Sequence, residues 1–363
     1  MDQRKSRLLI VITDFNTSFW YRNKDLLKQD FETFFLQIVK KGEYYHRIPD
    51  DIAVGVMPLK WNTTLKKLFN FIYAFWFKFK MINLNKCDLV CMNIMPDYED
   101  LFLFLYRLFF PFQKFYLTLC TPLGNKKFIK TVFSYNLKCF RYIGGDSPML
   151  RKELGLNNRF LYNGSLGYID SYGFMIREFK EMHLVYIGVN RELWKTVKGF
   201  SSFARKNPEV ICSYDIIGSG RPHEIKMLES EIDLCSDCCS VRYHGFLPLE
   251  EIKAIFRKSN VGISFVPMIK MYENVSVTKT VEYLLCGMPV IATRVSFNNE
   301  LICDVSGVLC DDSSESFADA LQTFWNNRNR FDSADIRSRY EYLLSENVIR
   351  NSLIPDLKKI LDI

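Results

Sequence analysis

Lys279 and Glu282 stand three residues apart in the segment Ser276–Glu300, SVTKTVEYLLCGMPVIATRVSFNNE, near what the pattern predicts as a helix start. Val281, Leu284 and Leu285 share one helical face. Gly287 suits the position after a helix end, and Pro289 cannot prolong the helix. The apolar run Val290-Ile291-Ala292-Thr293 then reads as a buried parallel strand. Exposed amides at a helix N-terminus, with one cation beside them, can hold phosphate, and a carboxylate one turn on can accept hydrogen bonds from sugar hydroxyls. The plainer alternative is a solvated i,i+3 ion pair on an ordinary helix surface.

The elements that must position these residues repeat along the chain. In the first half, Leu8-Leu9-Ile10-Val11-Ile12, Asp88–Asn93 and Phe115–Leu119 read as strands, with helical stretches at Asp25–Lys41, Thr63–Ile82 and Tyr98–Phe110. A second alternation follows, with strands at 184–188, 213–217, 240–243, 261–265 and 290–293. Its helices are placed at 195–206, 222–234, 249–257 and 278–286. Ser316–Asn326 and Asp335–Leu361 read as closing helices. Strands alternating with helices imply parallel βαβ sheets. In such sheets ligands bind outside the carboxyl ends of the strands.

The run K-x-x-E-Y-L-x-C-G-x-P-V-I-A-T, followed by Glu300, Gly307 and SFADAL from Ser316, resembles the C-terminal half of GT-B glycosyltransferases, closest to the retaining family 4. Other matches fall in that family's order: Asn163-Gly164 as the hinge, Leu184–Gly188 as the second domain's first strand and turn, Ile216–Gly220, and Tyr243–Pro248. They cover residues 163–326; the first half agrees only in overall pattern. The resemblance implies an α/β fold of GT-B type, two doubly wound Rossmann-like domains facing across a cleft. The first would span 1–164 and hold the acceptor, and 165–182 would be the linker. The nucleotide-sugar domain would span 183–330, and the helices of 331–363 would pack back on the first domain.

The same resemblance assigns roles. Arg191 and Lys195 would neutralise the departing nucleoside diphosphate, although their spacing is one residue short of the family's. Lys198-Gly199 matches the family's "KG" in letters, but counting back from Phe203-Ala204 favours Lys195. Glu282 would hold the ribose hydroxyls and act with them in catalysis. Lys279, Ser276, Thr278, Gly188, Gly218 and Gly220 would bind the donor, and His244-Gly245-Phe246 would meet the base through backbone atoms. The family's first glutamate is replaced by Asn274, with Glu273 beside it. On the acceptor side Asp14, Asp97 and Asp146 lie near predicted strand ends. His46, the only histidine before the hinge, sits in a polar loop, so a histidine base is not expected. The nucleotide-sugar is a substrate; no cofactor and no metal are implied.

Composition narrows the classes. The 363 residues suit two domains; 48% are hydrophobic and 25% charged, as in globular proteins. The start Met-Asp-Gln-Arg-Lys lacks a signal-peptide pattern, which predicts a cytoplasmic protein. Eleven cysteines are scattered, several of them (Cys91, Cys120, Cys286, Cys303) in predicted strands or helices, as buried thiols of a reducing compartment would be. Cys235-x-x-Cys238-Cys239 lacks a second ligand pair at zinc spacing. A net charge of +7 favours anionic partners, yet no nucleic-acid signature accompanies it.

Lysines flank the aromatic stretch Leu65–Lys80, and a second such stretch is Leu101–Phe110. Both are too short to span a bilayer. They read either as interfacial helices on the inner membrane face or as helices buried between sheet and neighbours. The partners expected are therefore a nucleotide-sugar donor, a glycan or lipid-linked glycan acceptor and an anionic membrane. Two other functions fit the pattern less well: a non-catalytic nucleotide- or glycan-binding scaffold, kept open by Asn274, and a sugar-nucleotide epimerase, which would need carboxylates and histidines not seen here.

Overall fold

The structure, a computed structural model, describes residues 4–12, 19–39, 48–59, 63–94, 103–119, 127–145, 160–162, 168, 170–270, 272–273 and 276–363. The chain forms two compact units. The first holds Met1–Gly167 and Ser345–Ile363, the second Tyr168–Leu344.

The first unit is built on seven strands, β1 (Arg7–Ile12), β2 (Glu32–Val39), β3 (Ile52–Val56), β4 (Leu89–Ile94), β5 (Lys114–Leu119), β6 (Tyr142–Gly145) and β7 (Phe160–Tyr162). All pair in parallel, in the order β3-β2-β1-β4-β5-β6-β7. Both faces are covered, which is why the strands read as unbroken apolar runs. Leu9, Val11, Val90 and Met92 face Phe71, Phe75, Tyr106, Phe133 and Leu137 of the helices Thr64–Asn85, Phe104–Phe109 and Lys127–Leu137. Leu8, Ile10 and Ile12 face Trp20, Leu27 and Phe31, together with Ile349, Leu353, Leu357 and Ile360 from the end of the chain.

The stretch expected as one helix over 25–41 is a short helix, Lys24–Asp30, and then β2. Phe34, Phe35, Leu36, Ile38 and Val39 supply apolar residues at helical spacing and on both faces of a strand alike. Pairing with β1 on one side and β3 on the other decides for a strand. The Thr64–Asn85 helix runs three residues beyond the expected end; the Thr63 side chain caps it by accepting from Lys66 N, and Lys86 ends it with a left-handed φ of 45°. Buried Asn70 fixes the preceding loop, accepting from Leu59 N at 3.1 Å and donating to Leu59 O at 2.8 Å.

The second unit has six parallel strands, β8 (Met182–Ile187), β9 (Cys212–Ile217), β10 (Ser240–Gly245), β11 (Val261–Ser264), β12 (Val290–Thr293) and β13 (Gly307–Cys310), in the order β10-β9-β8-β11-β12-β13. Both sheets thus reverse direction beside their first strand, the doubly wound arrangement. The helices Trp194–Lys206, Pro222–Cys235, Leu249–Lys258, Thr278–Leu285 and Ser314–Asn326 lie within two residues of the expected positions; Ser296–Leu301 and β13 are additional. Gly199 lies where a Cβ would press on the Ser314 carbonyl oxygen at 2.5 Å, so the "KG" glycine serves the crossing of two helices.

The expected linker, 165–182, is largely part of the second unit. Tyr168 N donates to Leu343 O at 2.8 Å, Tyr172 stacks on Phe256 with centroids 4.4 Å apart, and Arg177 is buried. Its apolar residues are irregularly spaced, so they pack without forming an element. The closing segment also divides: Ser333–Tyr340 stays with the second unit, and only residues from Ser345 onward join the first. The hinge pair Asn163-Gly164 lies outside the described residues.

Candidate functional site

The carboxyl ends of β8, β9 and β10 are stitched together at their glycines. Gly188 N donates to Ile217 O at 3.0 Å, Gly218 N to Gly245 O at 2.7 Å, and Asn190 N to Ser219 O at 2.7 Å. Gly218 has φ +132° and faces Gly188 so closely that any Cβ would overlap the Gly188 carbonyl. Gly188 itself has φ +145°, and a Cβ there would stand 3.5 Å from Lys279 Nζ. Gly220 approaches Asn190 in the same way, with 2.8 Å between Asn190 Cβ and the position of a Cβ. The three strand ends are thus joined through bare backbone, and of their glycines Gly188 is the one that faces Lys279 at the start of the Thr278–Leu285 helix.

That helix begins at Val277, which provides no side-chain cap. Thr278 is exposed, and Ser276 and Lys279 are half-buried. The Lys279 ammonium lies 3.8 Å from the centre of the Tyr186 ring. Burial, and the charge of Arg191 nearby, push its pKa down to about 7, against a smaller opposing pull from Glu282. The Arg191 guanidinium rests 4.5 Å over the ring of Tyr272. Glu282, one turn after Lys279, is half-buried near Tyr172, Tyr283 and Cys286, all of which it pushes toward higher pKa.

The N-terminal end of this helix is held from behind by a chain of buried polar groups. Thr280 Oγ1 is 2.6 Å from Ser264 Oγ and donates to Asn298 Oδ1 at 2.9 Å, and Asn298 Nδ2 donates to Thr293 O at 2.9 Å. Thr293 Oγ1 in turn accepts from Val266 N at 3.0 Å. All four side chains are fully buried, and together they tie the helix to β11, β12 and the Ser296–Leu301 helix.

The structure thus brings Gly188, Gly218, Arg191 and Lys279 together. Lys195 is placed differently: it closes on Glu192 with Nζ and Oε2 2.5 Å apart. Glu192 takes a left-handed φ of 54° and its N–H donates to Glu224 Oε2 at 2.8 Å, so the turn starts the next helix and sets Lys195 three residues beyond its carboxylate. The His244 ring is committed to Asp215, 2.7 Å away, and lines a separate cavity of 580 Å³ with His183, Arg242 and Lys258. Only the backbone of that turn and the exposed Phe246 are left for a ligand. The Glu273 side chain is exposed, and its carbonyl accepts from Ser296 N at 3.2 Å. Asn274 and the acceptor-side residues Asp14, Asp97 and Asp146 lie outside the described residues, as does His46.

Sequence reasoning passed over Tyr186, Tyr272 and the Thr280–Asn298 chain. Tyr186 sits in an apolar strand run and so reads as core. Its only signal was a hydroxyl two residues before the glycine turn, where it donates to Val189 O at 2.6 Å. Among the described residues no group of His, Cys, Asp and Glu is arranged to hold a metal ion.

Residues 181–327 match the family model described as Glycosyl transferases group 1. The whole chain resembles solved structures at low identity. A glycosyltransferase from Rickettsia africae is 14% identical with a TM-score of 0.73, over 99% of each chain. Anabaena HepE, solved with UDP, is 12% identical with a TM-score of 0.69, over 98% of this chain and 100% of that one. Sucrose-phosphate synthase from Thermosynechococcus elongatus is 13% identical with a TM-score of 0.71, over 98% and 99%. At such identities the likeness is one of fold. No curated protein sequence matches the chain.

Proposed function

Since residues 181–327 belong to the group 1 glycosyltransferases and the chain has the GT-B fold, we propose that it is a retaining, metal-independent hexosyltransferase. It would move a sugar from a UDP- or GDP-sugar to a lipid-linked glycan acceptor in the synthesis of a bacterial surface polysaccharide. The observation that carries this is the convergence of Lys279, Arg191 and the uncapped Thr278–Leu285 helix start on the bare backbone of Gly188. A diphosphate seated there meets helix amides and two cations, which can stabilise the charge that grows on it as the sugar departs. Two cations and helix amides supply there the positive charge that a bound metal would otherwise bring, which supports the metal-independent reading. Glu282, one helical turn on, accepts hydrogen bonds from ribose hydroxyls. HepE, of the same fold, was solved in complex with UDP, which favours a UDP-sugar over a GDP-sugar here.

A retaining transfer needs no protein nucleophile when the leaving phosphate takes the acceptor's proton. A lipid-linked acceptor would bring the chain to the cytoplasmic face of a membrane as a peripheral protein. The second reading, a binding scaffold without turnover, is favoured by Asn274 standing where the first acid of the motif is expected. Turnover of a panel of UDP- and GDP-sugars separates the two. The wild type should release nucleotide in the presence of chelator, and Lys279→Ala and Glu282→Ala should each lower that rate at least tenfold. A wild type that binds UDP yet turns over no donor would leave the scaffold.

A further inference from the structure

Charge is segregated along this chain. Residues 52–87 and 101–145 contain thirteen lysines and arginines and not one aspartate or glutamate, so against a total of +7 the rest of the chain carries −6. Both stretches belong to the first unit, and their three helices, Thr64–Asn85, Phe104–Phe109 and Lys127–Leu137, cover a single face of its sheet.

That layer is also where the first unit leaves apolar side chains in water. Leu65, Leu68, Phe69, Ile72 and Trp76 follow helical spacing along one stripe of the long helix and are all exposed, while Phe71, Ala74, Phe75 and Ile82 on its other side are buried. The stripe continues onto the neighbouring helix. Trp76 lies 6.4 Å, centroid to centroid, from Phe109, whose neighbour Leu108 is exposed, and Phe112 beyond the helix end is 97% exposed. Among the described residues of the first unit, every exposed large hydrophobic except Ile363 lies between 65 and 135. Lys80, Lys86 and Lys138 are exposed in the same layer. An apolar stripe on a folded unit marks a contact surface, and one built on three helices that carry cations and no acids fits an occupant that is both apolar and anionic.

We propose that this face docks on an anionic lipid bilayer, the Thr64–Asn85 helix lying in the plane of the interface with Phe69, Trp76, Phe109 and Phe112 inserted below the headgroups. No helix among the described residues is long and apolar enough to cross a membrane, so the contact is in-plane. A second copy of the chain would bring two basic layers together, whereas a bilayer with anionic headgroups accepts the cations and the rings at once. The inference deepens the functional reading by supplying the surface on which a lipid-linked acceptor would be met, and it rests on that reading only for the acceptor.

Co-sedimentation of the full chain with vesicles tests it. Binding is expected to vesicles containing about one-third phosphatidylglycerol and not to phosphatidylcholine alone, and to fall steeply as salt rises. Phe112→Glu, fully exposed and so harmless to folding, and Phe69→Glu should each weaken partitioning at least tenfold, while the thermal shift produced by UDP stays as in the wild type. Equal binding by the variants, binding indifferent to anionic lipid, or no binding would overturn the proposal. So would self-association that the same substitutions abolish without any vesicle binding, which would assign the face to a second copy. Retained UDP-sugar turnover with no vesicle binding defeats this inference alone; vesicle binding with no UDP binding defeats the donor reading alone.

Discussion

Lys279 and Tyr186 form the contact on which the candidate donor site turns: the ammonium stands 3.8 Å from the ring centre, and the tyrosine hydroxyl is held by the Val189 carbonyl at 2.6 Å. The ring belongs to β8 and the ammonium to the Thr278–Leu285 helix. One contact therefore fixes the glycine turn against the helix start. It also supplies an attraction to a cation that burial otherwise disfavours.

The first prediction concerns the proton on Lys279. Burial and Arg191 hold its pKa at about 7, well below the usual lysine range. A diphosphate would raise it again, so UDP binding at about pH 8 should take up a proton. Calorimetry in two buffers of different ionisation enthalpy reads that uptake, which Lys279→Met should abolish while weakening UDP at least tenfold. The sign for stability is opposite. Between about pH 7 and about 10 the unfolded chain binds more protons at this group than the folded one, so its contribution to stability rises with pH across that window while UDP affinity falls. An uptake unchanged in Lys279→Met would assign the proton elsewhere.

Gly218→Ala should be costly in itself. The new methyl would meet the Gly188 carbonyl on a backbone at φ +132°, with no flexible side chain to give way. A loss of about 3 kcal/mol or more is expected, read as a lower urea midpoint with unchanged slope. Nucleotide binding should weaken together with stability, because the same displacement moves Gly188.

The Thr280 chain predicts coupling at a distance from any ligand. Thr280→Val removes the buried partner of the Ser264 hydroxyl and of Asn298 Oδ1 and should cost about 1–3 kcal/mol. Asn298→Leu should cost a similar amount, and the double variant less than the two together, since the second substitution removes a group already stranded. Donor affinity should fall in each, because the chain anchors the helix that carries Lys279.

Much of this was legible in the sequence, and for unequal reasons. Val290–Thr293 is a short apolar run between Pro289 and Arg294, and its expected bounds are the observed ones. Over Asp25–Lys41 the expectation fails because a strand covered on both faces has apolar residues on both, and helical spacing is then found inside it by accident. Strands Ile52–Val56 and Tyr142–Gly145 went unread because each is short and carries glycine, and their neighbours in the sheet form them. At the site, Lys279 was visible because a cation at a helix start breaks an apolar pattern. The pairing of Lys195 with Glu192 is not legible in the sequence, because the left-handed turn at Glu192 that makes it leaves no mark in composition.

The discontinuity of the first unit yields the last prediction. Ile349, Leu353, Leu357 and Ile360 complete the core beneath Leu8, Ile10 and Ile12, and Lys358 adds an ion pair to Asp30 at 2.6 Å. A chain ending at Leu344 would leave that sheet face bare, and it should accumulate only as aggregate. Leu357→Ala, a single cavity in the full chain, should cost about 2–5 kcal/mol. The second unit has no such dependence. Its core, from Tyr168 to Leu343, is drawn wholly from its own residues, and the described members of the candidate donor site lie within it. A fragment of residues 168–344 should therefore fold alone and show the UDP-induced rise in thermal stability expected of a ligand that binds only the native state. If the fragment folds and UDP does not stabilise it, the nucleotide site depends on residues of the first unit, and the placement of the donor on Gly188, Arg191 and Lys279 alone is wrong.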